Sequence, residues 1–178
     1  KIENKKMKLD LKRHDINAII KDIAEQFKDA ASIKGLELSV SLPAPEMEAI
    51  VDNDIIRKIM VNLMSNALKY AASMIELSLK ESDGHIVICV SNDGPRIPEG
   101  QKEKIFQIFY QIPDDKKQMP GTGIGLAFSK SLAESHQGTL SVENLPSSGC
   151  SFILSLPLKR ATEKLPETES HPESEGFE

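Results

Sequence analysis

Asn62-Leu63-Met64-Ser65-Asn66-Ala67-Leu68-Lys69-Tyr70 is the stretch from which the rest of the chain can be read. It closes a predicted helix that begins near Asp54. Ile56, Ile59, Met60, Leu63 and Ala67 recur at three- and four-residue spacing, the period of one buried helical face. Asn62 and Asn66 are four residues apart and stand one above the other, and Lys69 and Tyr70 continue their stripe. At about 100° per residue the four side chains fall within roughly a quarter to a third of the helix circumference, beside the apolar face. Two carboxamides, an ammonium and a phenol are costly neighbours for a core. They are better suited to a ligand, because two amide oxygens can hold a hard cation and an ammonium can meet a phosphate. The alternative, from this helix alone, is that both asparagines are solvated and Lys69 snorkels.

A chain of 178 residues is one domain of ordinary size plus its ends. With 39% hydrophobic residues but only 4% aromatic and no Trp, the core must be built from Ile, Leu, Val and Met. The net charge of −5 belongs to the stretch Ala161 to Glu178, which holds six Glu and one Lys; the remainder has 21 basic and 21 acidic residues. A neutral body argues against a nucleic-acid binder, which would show a basic face. Cys89 lies in the apolar run Ile86 to Val90 and Cys150 near another strand. Their spacing fits neither a zinc site nor a disulfide framework, so both are expected to be buried thiols in a reducing compartment. No apolar run approaches the ~20 residues that span a bilayer. The first residue is Lys1 rather than Met, so we expect a piece cut from a longer chain.

Taken in order, Leu9 and Leu11 alternate with Asp10 and Lys12, which predicts a short strand. Asp15 reads as the N-cap of an amphipathic helix carrying Ile16, Ile19, Ile20, Ile23, Phe27 and Ile33, stopped by Gly35. Leu36 to Leu42 alternates strictly and ends at Pro43 and Pro45. Ile50-Val51 is a short extended piece, and Asp52 or Asn53 caps the helix that ends at Tyr70. Met74 to Leu79 and the continuous apolar run His85 to Val90 form a hairpin around Asp83-Gly84. Pro98 starts a short predicted helix through Phe106. Tyr110 to Thr122 has no period and reads as a loop of about a dozen residues, long enough to act as a lid. A helix follows Gly123 to about Ser135, then strands at Thr139 to Glu143 and Cys150 to Leu156. Helices and mostly antiparallel strands in this order predict an α+β sandwich. Arg160 onward has the composition of a disordered tail or linker.

Two further stretches bear on chemistry. Ser91-Asn92-Asp93-Gly94-Pro95-Arg96-Ile97-Pro98 follows directly on a buried strand. Asn92 or Asp93 there can accept from the exocyclic amine of a flat heterocycle, and Gly94 lets a base approach the backbone. The alternative is a plain turn made of the usual turn residues. Gly121-Thr122-Gly123-Ile124-Gly125-Leu126 opens a helix, where unpaired N–H groups favour an anion. It is neither the dinucleotide fingerprint nor a P-loop, because the spacing is GxGxG after a loop and no Lys-Ser/Thr follows. The alternative is hinge punctuation for the lid.

Together and in this order, the three stretches resemble the ATP-binding catalytic domain of sensor histidine kinases. That superfamily also contains type II topoisomerases, mismatch-repair ATPases and heat-shock chaperones. Asn62 to Tyr70 is similar to the family's N box, Ser91 to Pro98 to its first glycine box, and Phe106 to Phe109 to its F box. Gly121 to Leu126 is similar to the second glycine box, and Ser148 to Phe152 to the final glycine strand. The resemblance implies a Bergerat-type ATP-binding fold: a two-layer α/β sandwich whose mixed, mostly antiparallel sheet carries helices on one face. It implies ATP and Mg²⁺ as cofactors. Asn66 would hold the metal with Asn62 beside it, and Asn66 and Lys69 are the catalytic candidates. Lys69 would meet the phosphates, Tyr70 would pack on the adenine, and Asn92, Gly94 and Ile97 would shape the adenine pocket. The backbone from Gly121, Thr122 and Gly123 through Ile124, Gly125 and Leu126 would face the phosphates. Lys116 and Lys117 are candidate γ-phosphate contacts, with solvated lid charge as the alternative. Phe106 and Phe109 are expected to anchor the lid by packing.

The departures are specific. Asn92 stands where the family carries Asp, so the charge-assisted contact to adenine is lost. Arg96 replaces the second glycine of that box, and Cys150 stands at a usual Thr. His14, His85, His136 and His171 lack the phosphoacceptor context, and His14 is read as surface. The resemblance therefore implies 1–8 as the end of a preceding dimerisation helix or linker, 9–158 as the ATP-binding domain and 159–178 as an acidic tail. The expected partners are a histidine-containing dimerisation domain in the same parent, a homodimer, and a response regulator or receiver domain. The domain is expected to be cytoplasmic, in a parent anchored in the cell membrane. The rival reading is a degenerate nucleotide-binding or non-enzymatic regulatory module of the same fold, its pocket weakened at Asn92 and Arg96.

Overall fold

The computed structural model describes residues 8–112 and 122–159. Its elements are β1 (Lys12–Asp15), α1 (Ile16–Ile33), β2 (Glu37–Ser41), β3 (Glu48–Val51) and α2 (Asn53–Tyr70), then β4 (Met74–Ser82) and β5 (His85–Asn92). Two short 3-10 turns follow at Glu99–Gln101 and Lys104–Phe106, then α3 (Gly125–Ser135), β6 (Thr139–Asn144) and β7 (Cys150–Pro157).

Five strands form one sheet in the order β2-β4-β5-β7-β6, and β1 pairs with β3 in a small separate ribbon. Only β2 and β4 run parallel; every other pair is antiparallel. The β4–β5 hairpin turns at Asp83 and Gly84, with φ of 51° and 72°, as a two-residue turn with both positions left-handed requires. Along β4 and β5 the residues Ile75, Leu77, Leu79, Ile86, Ile88 and Val90 are buried, while their neighbours point to the other face and stay partly accessible. The helices cover the apolar face. Ile16, Ile20 and Ile23 from α1 and Ile56, Ile59, Met60, Leu63 and Met64 from α2 are fully buried against it. Burying each such side chain contributes about 1.5–3 kcal/mol. This is the expected two-layer α+β sandwich.

Caps set the helix limits. Asp15 accepts from the Ala18 N–H at 3.2 Å and starts α1. Asp52 accepts from the Ile55 N–H at 3.1 Å and starts α2, while its second carboxylate oxygen accepts from the Asp10 N–H at 2.8 Å. The packing continues to Lys159, whose carbonyl accepts from the Ile50 N–H at 2.8 Å.

Four local expectations need correction. The first strand lies at Lys12–Asp15 rather than Leu9–Lys12, because its register is set by pairing with β3, from Lys12↔Val51 to Asp15↔Glu48, and by the Arg13–Glu48 ion pair. The helix predicted from Pro98 to Phe106 is two separate 3-10 turns. Ile105 is the one buried residue within them, so no apolar stripe sustains a longer helix. Cys150 is buried but Cys89 is only half-buried, because the sheet's alternation sends it to the uncovered face. His14, read as surface, is half-buried on the β1–β3 ribbon.

Candidate nucleotide site

The second half of α2 meets both glycine-containing segments. Asn62 is half-buried, and its Nδ2 donates to the Ser129 hydroxyl on α3 at 2.9 Å. Its Oδ1 lies against Gly125, the first residue of α3, where an added Cβ would collide with it. Asn66, one turn further along, is half-buried and makes no side-chain hydrogen bond among the described residues. The Lys69 ammonium sits 4.9 Å from the centroid of the Tyr70 ring, which is 44% exposed. The ridge read from sequence is thus present, with Asn66 the carboxamide free to take a ligand.

At the end of β5, Asn92 is buried. Its Oδ1 accepts from the Gly94 N–H at 3.0 Å, and its Nδ2 points at the Cys150 sulfur 3.9 Å away. Burial pushes the Cys150 thiol pKa up. Asp93 is committed elsewhere: its carboxylate accepts from the N–H groups of Ala72, Ser73 and Met74 and from the Ser73 hydroxyl. Burial would raise its pKa, but these donors outweigh that and hold it well below the ordinary carboxylate range. Asp93 therefore fastens the α2–β4 connection. Gly94 is needed for a reason other than the approach of a base: a Cβ there would collide with the Tyr70 backbone carbonyl. Ile97 is half-buried, and its backbone is clamped at both ends by Asn144, whose Oδ1 accepts from the Ile97 N–H and whose Nδ2 donates to the Ile97 carbonyl, each at 2.8 Å.

The second glycine segment enters α3 without a capping side chain, so the N–H groups of its first turn receive no side-chain acceptor. Thr122 and Ile124 are exposed, and Gly123 and Leu126 half-buried. The Gly123 carbonyl accepts from the Phe109 N–H at 2.9 Å, tying this segment to the end of the F box. Phe106 packs edge-on against Phe152, with ring centroids 6.4 Å apart. Phe109, expected to pack, is instead 73% exposed. Lys116, Lys117 and Gly121 lie outside the described residues. A groove of about 790 Å³ beside the β1–β3 ribbon, lined by Arg13, Pro45, Glu48 and Glu81 among others, contains none of the residues predicted for the site.

Residues 51–160 match the family described as histidine kinase-, DNA gyrase B-, and HSP90-like ATPase. The chain belongs to this family. It is 35% identical over 162 residues to the sensor histidine kinase TmoS of Ectopseudomonas mendocina, an alignment covering 89% of this chain and 16% of TmoS. The fold superposes on full-length ShkA, solved in complex with AMPPNP, with a TM-score of 0.78 at 26% identity, covering 87% of this chain and 32% of that one. It superposes on the catalytic domain of histidine kinase ThkA with a TM-score of 0.76 at 23% identity, covering 85% and 100%. This chain therefore spans about a sixth of the length of TmoS.

Carboxamide oxygens are ligands of the kind that a hard cation takes. A free Asn66 carboxamide stands one turn from the Asn62 oxygen, beside a helix start that lacks a side-chain acceptor. Three supporting residues were not singled out from sequence. Ser129 is buried on α3 and His136 is buried at its C-cap, continuing the stripe of Ser129, Leu132 and Ala133, and Asn144 closes β6. The signal for the first two was the helical period itself, which placed a hydroxyl and an imidazole among core positions.

Proposed function

We propose that this chain is the ATP-binding kinase domain of a two-component sensor histidine kinase. It would pass the γ-phosphoryl group of Mg-ATP to a histidine on a dimerisation domain outside residues 1–178. The observation that carries this reading is the meeting of the asparagine ridge of α2 with the uncapped start of α3, through Asn62 against Gly125 and Ser129.

In this reading Asn66, with Asn62 beside it, holds Mg²⁺, which supplies charge neutralisation at the phosphates. Lys69 adds a second positive charge there. The backbone N–H groups from Gly123 to Leu126 receive the phosphates, assisted by Gly121, Thr122 and the loop lysines Lys116 and Lys117. Tyr70, Asn92, Gly94 and Ile97 form the base pocket, in which Asn92 can accept from the adenine amine through Oδ1. Catalysis is then mainly positioning and electrostatic stabilisation of the transferred group. Residues 1–8 belong to the connection to the dimerisation helices, 9–158 to the ATP-binding unit and 159–178 to a tail. The parent works as a homodimer, with a response regulator or receiver domain accepting the phosphoryl group. It is anchored in the cell membrane with this domain on the cytoplasmic side. Among the described residues no helix is long and apolar enough to cross a membrane.

The test is to mix the chain with [γ-³²P]ATP and the dimerisation helices of its parent. Acid-labile label on histidine is expected, with little turnover by the chain alone. Measured ATP binding without such label would contradict kinase activity and leave the regulatory module. Absence of binding at millimolar ATP would remove the nucleotide reading as well.

A further inference from the structure

Ser129 is 1% exposed on the core-facing stripe of α3, where a hydroxyl costs stability unless it is paired. Its partner is the Nδ2 of Asn62 at 2.9 Å. The opposite end of the same carboxamide, Oδ1, lies against Gly125, which is one helical turn before Ser129. A single turn of α3 therefore grips both ends of the Asn62 amide, with nitrogen toward the buried hydroxyl and oxygen toward the first residue of the helix. Only the oxygen of a carboxamide can face a cation; the NH₂ end would repel it. With alanine at 129 the Asn62 amide would lose this hydrogen bond, and its side chain could rotate.

We propose that Ser129 is a positioning residue for divalent-cation-dependent nucleotide binding. Its buried hydroxyl holds the Asn62 nitrogen, so that the Asn62 oxygen stays turned toward the start of α3 and one turn from the Asn66 carboxamide. The inference rests on the nucleotide-site reading above and adds a residue to it. It also makes the asparagine ridge of α2 and the glycine start of α3 a single unit. Loss of the hydroxyl should weaken the metal-dependent part of binding and leave the metal-independent part alone.

The test uses the 178-residue chain. Equilibrium binding of AMPPNP is measured with Mg²⁺ and with EDTA for the wild type, Ser129→Ala, Ser129→Thr, Asn62→Ala and the Asn62→Ala/Ser129→Ala double variant. Ser129→Ala should lose about tenfold in affinity with Mg²⁺ and stay within about twofold in EDTA, the lower end of what loss of a ligand-supporting contact costs. Ser129→Thr, which keeps the hydroxyl, should return most of the loss. Ser129→Ala should add nothing in the Asn62→Ala background. In the nucleotide-free chain, the Asn62 side-chain NH₂ resonances should shift with Ser129→Ala. If Ser129→Ala does not fold, Ser129→Cys takes its place, with a smaller loss expected in the same direction. Equal losses with and without Mg²⁺, a loss that persists in the Asn62→Ala background, or unmoved Asn62 resonances would each overturn the positioning role while leaving the nucleotide reading intact. A wild type that binds AMPPNP in neither condition would overturn that reading, and this inference with it.

Discussion

The backbone N–H of Asp52 donates to Nε2 of His136 at 3.1 Å, joining the start of α2 to the end of α3 across 84 residues of sequence. Asp52 also caps α2 through Ile55 and holds the N–H of Asp10. One residue thus fastens the N-terminal segment, the asparagine helix and the glycine helix. As an acceptor at Nε2 the imidazole is neutral. Burial lowers its pKa, the nearby Asp52 carboxylate works in the opposite direction, and Lys159 reinforces the lowering.

That arrangement predicts a stability loss in mild acid. Below the ordinary value of 6.5, the unfolded chain binds a proton at His136 that the folded chain does not. Folding should therefore weaken as pH falls through and below that value, and the contribution should be level above it. Thermal unfolding of the wild type and of His136→Gln at stepped pH checks this. The variant should show a shallower slope between about pH 7 and pH 5. His136→Ala should cost about 2–3 kcal/mol at neutral pH, since it leaves the Asp52 N–H buried without an acceptor.

Asn66 differs from Asn62 in having no hydrogen bond to give up among the described residues. Asn66→Ala should therefore leave thermal stability within about 0.5 kcal/mol, as expected of a substitution outside the core. It should nonetheless lower Mg²⁺-dependent ATP affinity by about 10–100-fold, while binding in EDTA changes little. A fluorescent ATP analogue titrated in both buffers, beside a melting curve, separates the two effects. A variant that melts early and binds equally poorly in both buffers would show a packing role instead.

Asp93 should behave the opposite way, as a residue of the fold. Asp93→Ala deprives the N–H groups of Ala72, Ser73 and Met74 of their shared acceptor. The cost should be about 1–2 kcal/mol, kept low by partial solvent access. Because the folded pKa is depressed below 3.8, this contribution is present above that value and is lost as pH falls below it. Urea unfolding of the wild type and variant at neutral pH and near pH 3 should therefore show a gap that narrows in acid.

These residues also show how far a sequence can be read. The helix limits were legible because Asp15, Gly35 and Asp52 are local signals, and the ridge of α2 was legible because its period is local too. β1 was misplaced by three residues because its register depends on β3, more than thirty positions away. The resemblance placed the proposed adenine acceptor at Asn92, whereas the residues by themselves left Asn92 and Asp93 both open. Asn92 and Asp93 are adjacent and chemically alike, and nothing local says that Asp93 is occupied by the α2–β4 connection. Ser129 and Asn144 were missed for the same reason. Each is polar because of a partner that the chain brings close only after folding, Asn62 across 67 residues and Ile97 across 47.

Gly94 provides the sharpest test of how the α2 ridge and the proposed base pocket are joined. A Cβ at this position collides with the Tyr70 carbonyl, with the Asn92 Oδ1 next, at 2.8 Å. The first obstacle is backbone at the end of α2 and cannot rotate away, so Gly94→Ala must part the last turn of α2 from the end of β5. The expected cost is about 2–3 kcal/mol, at the upper end for overpacking, with nucleotide affinity falling at the same time because Tyr70 and Asn92 are displaced together. Gly100→Ala is the control: an added Cβ there meets nothing within 4 Å. It should be neutral or slightly stabilising, by up to about 0.5 kcal/mol, with unchanged binding. If Gly94→Ala melts like Gly100→Ala, the α2 carbonyl does not close over the turn after β5, and the Gly94 position is open to a base from the start.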